Sequence, residues 1–232
     1  GQVFAFEPQP VLARRLERSV AENGLRNLAV LEQAVGNRSG QGRMHCFAGW
    51  SGGTQVEPED APSGRQETTL TTLDDLTDRL GKRRLRLLKI DVEGMEGPVL
   101  RGATRLLAGH PPEIILFESN PCTTPFFDRE APRVLADTGR YVIFEVCRSI
   151  LRLRLRPVGL DDPLPGGRDF LAVERGRIEA LANVLPLDPG ADAPALKVTP
   201  AAERHPDRAL ERDTVDDPPK AALRGRPLVG PS

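Results

Sequence analysis

Short apolar runs alternate with amphipathic segments along the first 175 residues of the chain. The run Gln2–Phe6 is typical of a strand and stops at Glu7. Apolar residues then recur at helical spacing over 11–20, and Asn23 with Gly24 is a typical helix stop. The same patterns predict further strands over 28–35, 85–90, 113–117, 141–146 and 170–173, and further helices over 72–80, 99–107 and 131–138.

Strands that are apolar throughout and are separated by amphipathic helices indicate a parallel sheet covered on both faces. Residues 36–66 differ, because they are rich in Gly and Ser and predict at most a hairpin around 44–47. The sequence therefore predicts an α/β fold with a mostly parallel sheet. In such sheets, ligands bind beyond the carboxyl ends of the strands.

The composition changes near residue 180. From Pro186 to Ser232 there are nine prolines and no aromatic residue. Such a segment buries too little apolar surface to offset the entropy lost on ordering it. We predict a folded domain over 1–180 and a disordered, Pro- and Ala-rich tail over 181–232. A tail that folds on contact with a partner is the alternative.

Charge and cysteine content narrow the function classes. Lys and Arg total 32 against 33 for Asp and Glu, which gives no electrostatic case for a nucleic-acid partner. No apolar run approaches the length of a membrane span, and no charged-then-apolar leader begins the sequence. Cys46, Cys122 and Cys147 lack the spacing of a zinc site or a disulfide framework. We expect a soluble, cytoplasmic protein.

Three acids follow predicted strands. Glu7, Asp91 and Glu118 each stand at a strand's carboxyl end, so we expect them along one rim of the sheet. An acid at the end of such a strand accepts hydrogen bonds from ribose hydroxyls in nucleotide-binding folds. For Glu7 this role and that of an ordinary exposed acid remain open.

The segment Lys89–Glu96 is the richest in candidate chemistry. Asp91 ends an otherwise apolar strand, and Gly94 permits a tight turn before the next helix. Glu96 is interpreted either as a charge that favours the helix dipole or as one of three cation ligands with Asp91 and Glu93.

Seven motifs occur in a fixed order along residues 3–118. They are Val3-Phe-Ala-Phe-Glu-Pro8, Asn23-Gly-Leu-Arg-Asn27, Ala34-Val-Gly-Asn37, Thr72-Leu-Asp74, Leu88-Lys-Ile-Asp-Val-Glu-Gly-Met-Glu96, Val99-Leu-Arg-Gly-Ala103 and Ile114-Ile-Leu-Phe-Glu118. In this order they resemble the FkbM-type S-adenosylmethionine-dependent methyltransferases, over about residues 1–175.

The resemblance implies a class I methyltransferase fold, a Rossmann-like three-layer sandwich with strand order 3-2-1-4-5-7-6. It implies O-methylation of a hydroxyl on a sugar, polyketide or other small metabolite, with S-adenosylmethionine as cofactor. Glu7 would hold the cofactor's ribose diol, and Gln33 and Ala34 would lie beside the adenine. Asp91 would sit near the methyl group.

An aliphatic hydroxyl is a poor nucleophile, so a general base should assist methyl transfer. Asp91, Glu93 and Glu118 are the candidates, with His45 as a further one. Trp50, in a glycine-rich loop, suits either a substrate lid or a contact with the core.

Family members carry a first strand and a glycine-rich loop ahead of the strand that ends at Glu7, and no segment here matches them. We therefore expect the chain to be an inactive fragment of a longer protein. A nicotinamide-dependent oxidoreductase, whose ribose is also held by a strand-end acid, and a non-catalytic binding module are the alternative readings.

Overall fold

The computed structural model describes residues 1–46, 54–56, 66–81, 83–119, 130–148, 153–159 and 168–182. The predicted tail lies outside these residues except for 181–182. The strands are β1 (Val3–Phe6), β2 (Leu28–Leu31), β3 (Ala34–Val35), β4 (Gly40–Cys46), β5 (Thr54–Val56), β6 (Gln66–Thr71), β7 (Leu87–Ile90), β8 (Ile114–Ser119), β9 (Tyr141–Arg148), β10 (Leu153–Pro157) and β11 (Arg168–Glu174).

The described helices are short apart from the first. They are α1 (Pro10–Glu22), α2 (Thr77–Leu80), α3 (Glu96–Arg101), α4 (Thr104–Gly109), α5 (Glu130–Asp137) and α6 (Ile178–Ala182), with 3-10 turns at Asp74–Leu76 and Arg175–Arg177. None of the helices in the described part of the chain is long and apolar enough to cross a membrane.

The first unit is β1-α1-β2, with β1 and β2 parallel. Proline occupies the first turn of α1, where its missing N–H costs nothing. The helix ends as the sequence predicts: Gly24 has φ +62°, and the N–H groups of Gly24 and Leu25 donate to the carbonyls of Ala21 and Val20.

A five-stranded sheet has the order β10-β9-β11-β8-β7. β7 and β8 are parallel, and β11 is antiparallel to both of its neighbours, β8 and β9. One face of this sheet packs against α2 to α5 around Leu100, Leu106 and Phe170, which are fully buried. Phe144 and Leu155 belong to the apolar cluster on the other face.

The strand predicted over 28–35 is wrong, because it is two strands in two sheets. The Gln33 N–H donates to the Leu31 carbonyl at 2.8 Å, which turns the chain out of the β1-β2 sheet. Ala34 and Val35 then pair with β6 in a sheet of order β3-β6-β4-β5. The hairpin predicted around 44–47 corresponds to the antiparallel pair of β4 and β5.

The sheets are mixed, which corrects the expectation of a mostly parallel sheet. Five of the eight strand pairs in the described residues are antiparallel. The difference has two sources. β4 forms antiparallel pairs with β5 and β6 in the sheet of order β3-β6-β4-β5, and β10 and β11 add three antiparallel pairs beside β8 and β9.

The helix predicted over 99–107 is interrupted at Gly102, where α3 ends and α4 follows. A Cβ atom at Gly102 would collide with the carbonyl oxygen of Gly36, at the end of β3. The Asp74 carboxylate accepts the Leu106 N–H at 2.8 Å in the first turn of α4. The interruption therefore lets the two helices pack against β3 and the Asp74 turn.

Within the described residues, β1 pairs only with β2 and β7 pairs only with β8. The two edge strands share one core, because Phe4 and Phe6 pack against the cluster that contains Ile90. At their amino ends, Arg83 Nη1 donates to Gln2 Oε1 at 2.6 Å. The pair β1-β2 and the order β7-β8-β11-β9 correspond to strands 2-3 and 4-5-7-6 of the order that the resemblance implies.

Candidate functional site

The predicted rim acids stand where the sequence places them along their strands. Glu7 directly follows β1, Asp91 directly follows β7, and Glu118 is the penultimate residue of β8. Ile90 pairs with Phe117, so Asp91 and Glu118 occupy the next position on neighbouring parallel strands. The five-stranded sheet thus brings Asp91 and Glu118 together.

Glu118 lies among other acids. It is paired across the sheet with Asp169 of β11. Burial raises the pKa of the Glu118 carboxyl, the charges of Asp91 and Asp169 raise it further, and Lys89 acts in the opposite direction. A carboxyl with a raised pKa takes up a proton more readily, which is the property that a general base needs.

The acids beside Glu118 each have a cationic partner. Lys89 Nζ lies 2.6 Å from Asp91 Oδ2, and the Arg148 guanidinium forms an ion pair with Asp169. Glu118 forms no ion pair in the part of the chain that the structure describes. Of Asp91, Glu118 and Asp169, Glu118 is therefore the acid without an ion pair among the described residues.

Asp169, Lys89 and Arg148 were not singled out by the sequence. Lys89 had a visible signal, since residues two apart in a strand share a face. Asp169 and Arg148 had no local signal, because their position depends on β11 running antiparallel between β8 and β9.

Residues 92–95 form a tight turn between β7 and α3. The Met95 N–H donates to the Val92 carbonyl at 3.3 Å. Glu93 has φ +53° and Gly94 has φ +93°, so both central residues are left-handed, as in a type I′ turn. Glu93 is the only non-glycine residue with a positive φ among the described residues.

Glu96 begins α3, and its side chain reaches back into this turn. It is 7% exposed, and its Oε1 accepts the N–H groups of Val92 at 3.3 Å and Gly94 at 3.2 Å. Burial raises the pKa of the Glu96 carboxyl, and the charge of Asp91 acts in the same direction, whereas the backbone N–H groups of Glu96, Gly94 and Val92 lower it by hydrogen bonding. The carboxyl is thus directed at the backbone. No group of three or more potential metal ligands occurs among the described residues.

Glu7 lies in the β1-β2 sheet. Its Oε1 accepts the Gln9 N–H at 2.8 Å. Its backbone N–H donates to the Leu31 carbonyl at 3.0 Å, the same oxygen that accepts the Gln33 N–H. Glu7 and Gln33 therefore meet at one carbonyl group. Ala34, at 4% exposed, is largely buried in β3.

A surface cavity of about 140 Å³ lies next to the turn that follows Glu7. It is lined by Pro8, Pro10, Glu32, Gln41, Glu67, Thr68 and Thr69. Its walls come from the turn after β1, the end of β2, and strands β4 and β6. The side chain of His45 and the whole of Trp50 lie outside the described residues.

Comparison with known proteins identifies two similarities. The profile of the methyltransferase FkbM domain matches residues 1–145. The crystal structure of methyltransferase FkbM from Methylobacillus flagellatus KT aligns over 74% of this chain and 36% of its own, with 15% identity and a TM-score of 0.46. The chain thus spans about a third of the length of that protein. Among curated proteins, no sequence matches significantly.

Proposed function

Since the chain belongs to the FkbM methyltransferase family, whose domain profile covers residues 1–145, we propose that it is part of an S-adenosylmethionine-dependent O-methyltransferase. Its acceptor is a hydroxyl of a sugar, polyketide or other small metabolite. The family match supports the reaction class. The juxtaposition of Asp91 and Glu118 at the carboxyl rim is the structural observation that supports the site.

The residues around Glu7 suit the cofactor's ribose. A ribose diol offers two hydroxyl donors, and a carboxylate accepts them with two oxygens. Glu7 Oε1 is already bound to the Gln9 N–H, which fixes the side chain, and Oε2 accepts no hydrogen bond within the described residues. Gln33, which meets Glu7 at the Leu31 carbonyl, lies beside the same position.

The acids of the five-stranded sheet suit the reacting end. When bound, S-adenosylmethionine supplies an electrophilic methyl group on a positively charged sulfur. The carboxylate of Asp91 favours that positive charge at the rim. Glu118 accepts the proton of the acceptor hydroxyl, because burial and two acidic neighbours raise its pKa. The chain's main contribution is to hold these groups in register.

Methyl transfer in a protein extended upstream by about 30 residues, a strand–loop–helix unit, tests the proposal. We expect Glu118→Gln to lower the transfer rate by about 10²–10⁴-fold, the usual contribution of a general base, with cofactor affinity nearly unchanged. Glu174→Gln, at the opposite end of the same sheet, is the matched control. Full activity of Glu118→Gln would remove Glu118 from the mechanism, and binding of NADH instead of S-adenosylmethionine would overturn the proposed function.

A further inference from the structure

The turn after β7 holds a residue type that its backbone disfavours. Left-handed positions favour Gly, which has no Cβ to crowd the backbone, and then Asn or Asp, whose short polar side chains can hydrogen-bond locally. Glu93 nevertheless occupies the first central position of the turn, with φ +53°. Such strain persists only where surrounding contacts impose it.

Glu96 provides those contacts. Its buried Oε1 accepts N–H groups from both halves of the turn, from Val92 and from Gly94. Two further features fix Glu96 itself. The first turn of α3 closes through the Val99 N–H and the Met95 carbonyl at 3.0 Å, and Gly97 packs so closely against Glu130 that a Cβ there would collide with it.

We propose that Glu96 is a positioning residue: it holds the 92–95 turn, which directly follows Asp91, in the left-handed conformation that Glu93 adopts. This inference rests on the proposed methyltransferase function for its catalytic consequence. Both amides bind the same oxygen of Glu96. The contact between Glu96 and the turn therefore passes through a single acceptor oxygen.

The acceptor role gives a matched pair of variants. Glu96→Gln keeps an oxygen where Oε1 stands and removes the charge, whereas Glu96→Ala removes both. Amide hydrogen exchange in the 232-residue chain measures how strongly Glu96 protects the Val92 and Gly94 amides, and it requires no cofactor. We expect exchange at Val92 and Gly94 to accelerate at least tenfold in Glu96→Ala and to stay within threefold of the parent in Glu96→Gln.

Methyl transfer in the upstream-extended protein measures the consequence. We expect Glu96→Ala to lower kcat by about 10–100-fold with KM for the acceptor unchanged, since positioning acts on the reacting geometry. Glu96→Gln should restore kcat to within threefold. A merely structural Glu96 would lower thermal stability in Glu96→Ala and leave kcat of the folded fraction intact.

Each outcome decides a separate claim. Equal damage by Gln and Ala would show that the charge is needed and would overturn the acceptor role. Wild-type exchange at Val92 and Gly94 in Glu96→Ala would overturn the positioning role. Absence of methyl transfer by the parent protein would overturn the proposed function alone, because the exchange measurement still decides whether Glu96 holds the turn.

Discussion

The left-handed backbone of Glu93 is expected to lower the stability of the chain while serving the proposed methyl transfer. A left-handed non-glycine residue costs about 1–2 kcal/mol, and glycine adopts the same φ without that cost. We expect Glu93→Gly to raise the thermal midpoint by a few degrees, while methyl transfer by the extended protein falls. Calorimetric unfolding and a transfer assay measure the two effects. A lower midpoint in Glu93→Gly would show that the side chain stabilises the turn.

Asp75 is expected to make the folding stability of the chain depend on pH. Hydrogen bonds from the Ser39 hydroxyl and the Thr72 N–H hold the pKa of its carboxyl below the usual range. A group with a lowered folded pKa contributes stability above its unfolded pKa and loses it as the pH falls through the folded value. We expect the stability difference between the parent and Asp75→Asn to shrink below about pH 4. Urea titrations at pH 3 and 6 measure it, and a pH-independent difference would contradict it.

Glu7→Ala tests the ribose assignment. In the upstream-extended protein we expect S-adenosylmethionine binding to weaken by about 1–3 kcal/mol, the cost of leaving a hydrogen-bonding group without its partner. Glu7→Gln is the control for the turn, because its amide oxygen can still accept the Gln9 N–H. Calorimetry that shows unchanged affinity in Glu7→Ala would remove Glu7 from the site.

At the residue scale, the sequence predicted which candidate residues stand at strand ends. Glu7 and Asp91 follow apolar runs, and the runs alone place them at strand ends, although the two strands belong to different sheets. The placement of Ala34 inside a separate sheet depends on the turn at Gln33, and the environment of Glu118 depends on Asp169 of a distant strand. Local hydrophobic periodicity predicts neither the turn at Gln33 nor the pairing of Glu118 with Asp169.

At the scale of elements, hydrophobic periodicity predicted whether a segment is a helix or a strand better than it predicted where that element begins and ends. The helix over 99–107 has one apolar face, yet contact between Gly102 and Gly36 divides it. Strand β10 was not predicted, although residues 151–156 alternate Leu and Arg, the pattern of a strand with one buried face. Helical spacing cannot reveal a neighbouring carbonyl.

The Gly102 contact supports a matched substitution. A methyl group at Gly102 would meet the Gly36 carbonyl oxygen, whereas one at Gly109, near the end of α4, meets nothing within 4 Å. We expect Gly102→Ala to destabilise the chain by about 1–3 kcal/mol and Gly109→Ala to be neutral or stabilising by up to about 1 kcal/mol. Chemical denaturation measures both. Equal midpoints for the two variants would show that β3 moves aside freely.

At the scale of the molecule, the separate mixed sheet β3-β6-β4-β5 was not predicted from the sequence, because pairing direction is set by contacts far apart along the chain. Among the described residues, β1 and β7 each pair on one side only, which bears on cofactor binding. We expect the 232-residue chain to bind S-adenosylmethionine poorly and the upstream-extended protein to bind it, since the family resemblance implies a further strand between the strands that end at Glu7 and Asp91. Micromolar binding by the 232-residue chain, measured by calorimetry, would withdraw the rim assignments.

The insertion of β11 between β8 and β9 also sets the timing of folding during synthesis. β8 ends at Ser119 and β11 begins at Arg168, so about 50 residues separate the two. At roughly 5–20 residues per second, a ribosome needs about 2–10 seconds to translate that stretch. During this delay the inner edges of β8 and β9 are open to a chaperone or to another nascent chain. Slower translation between these strands would therefore prolong that exposure, and release of a chain that stops before Glu174 would make it permanent.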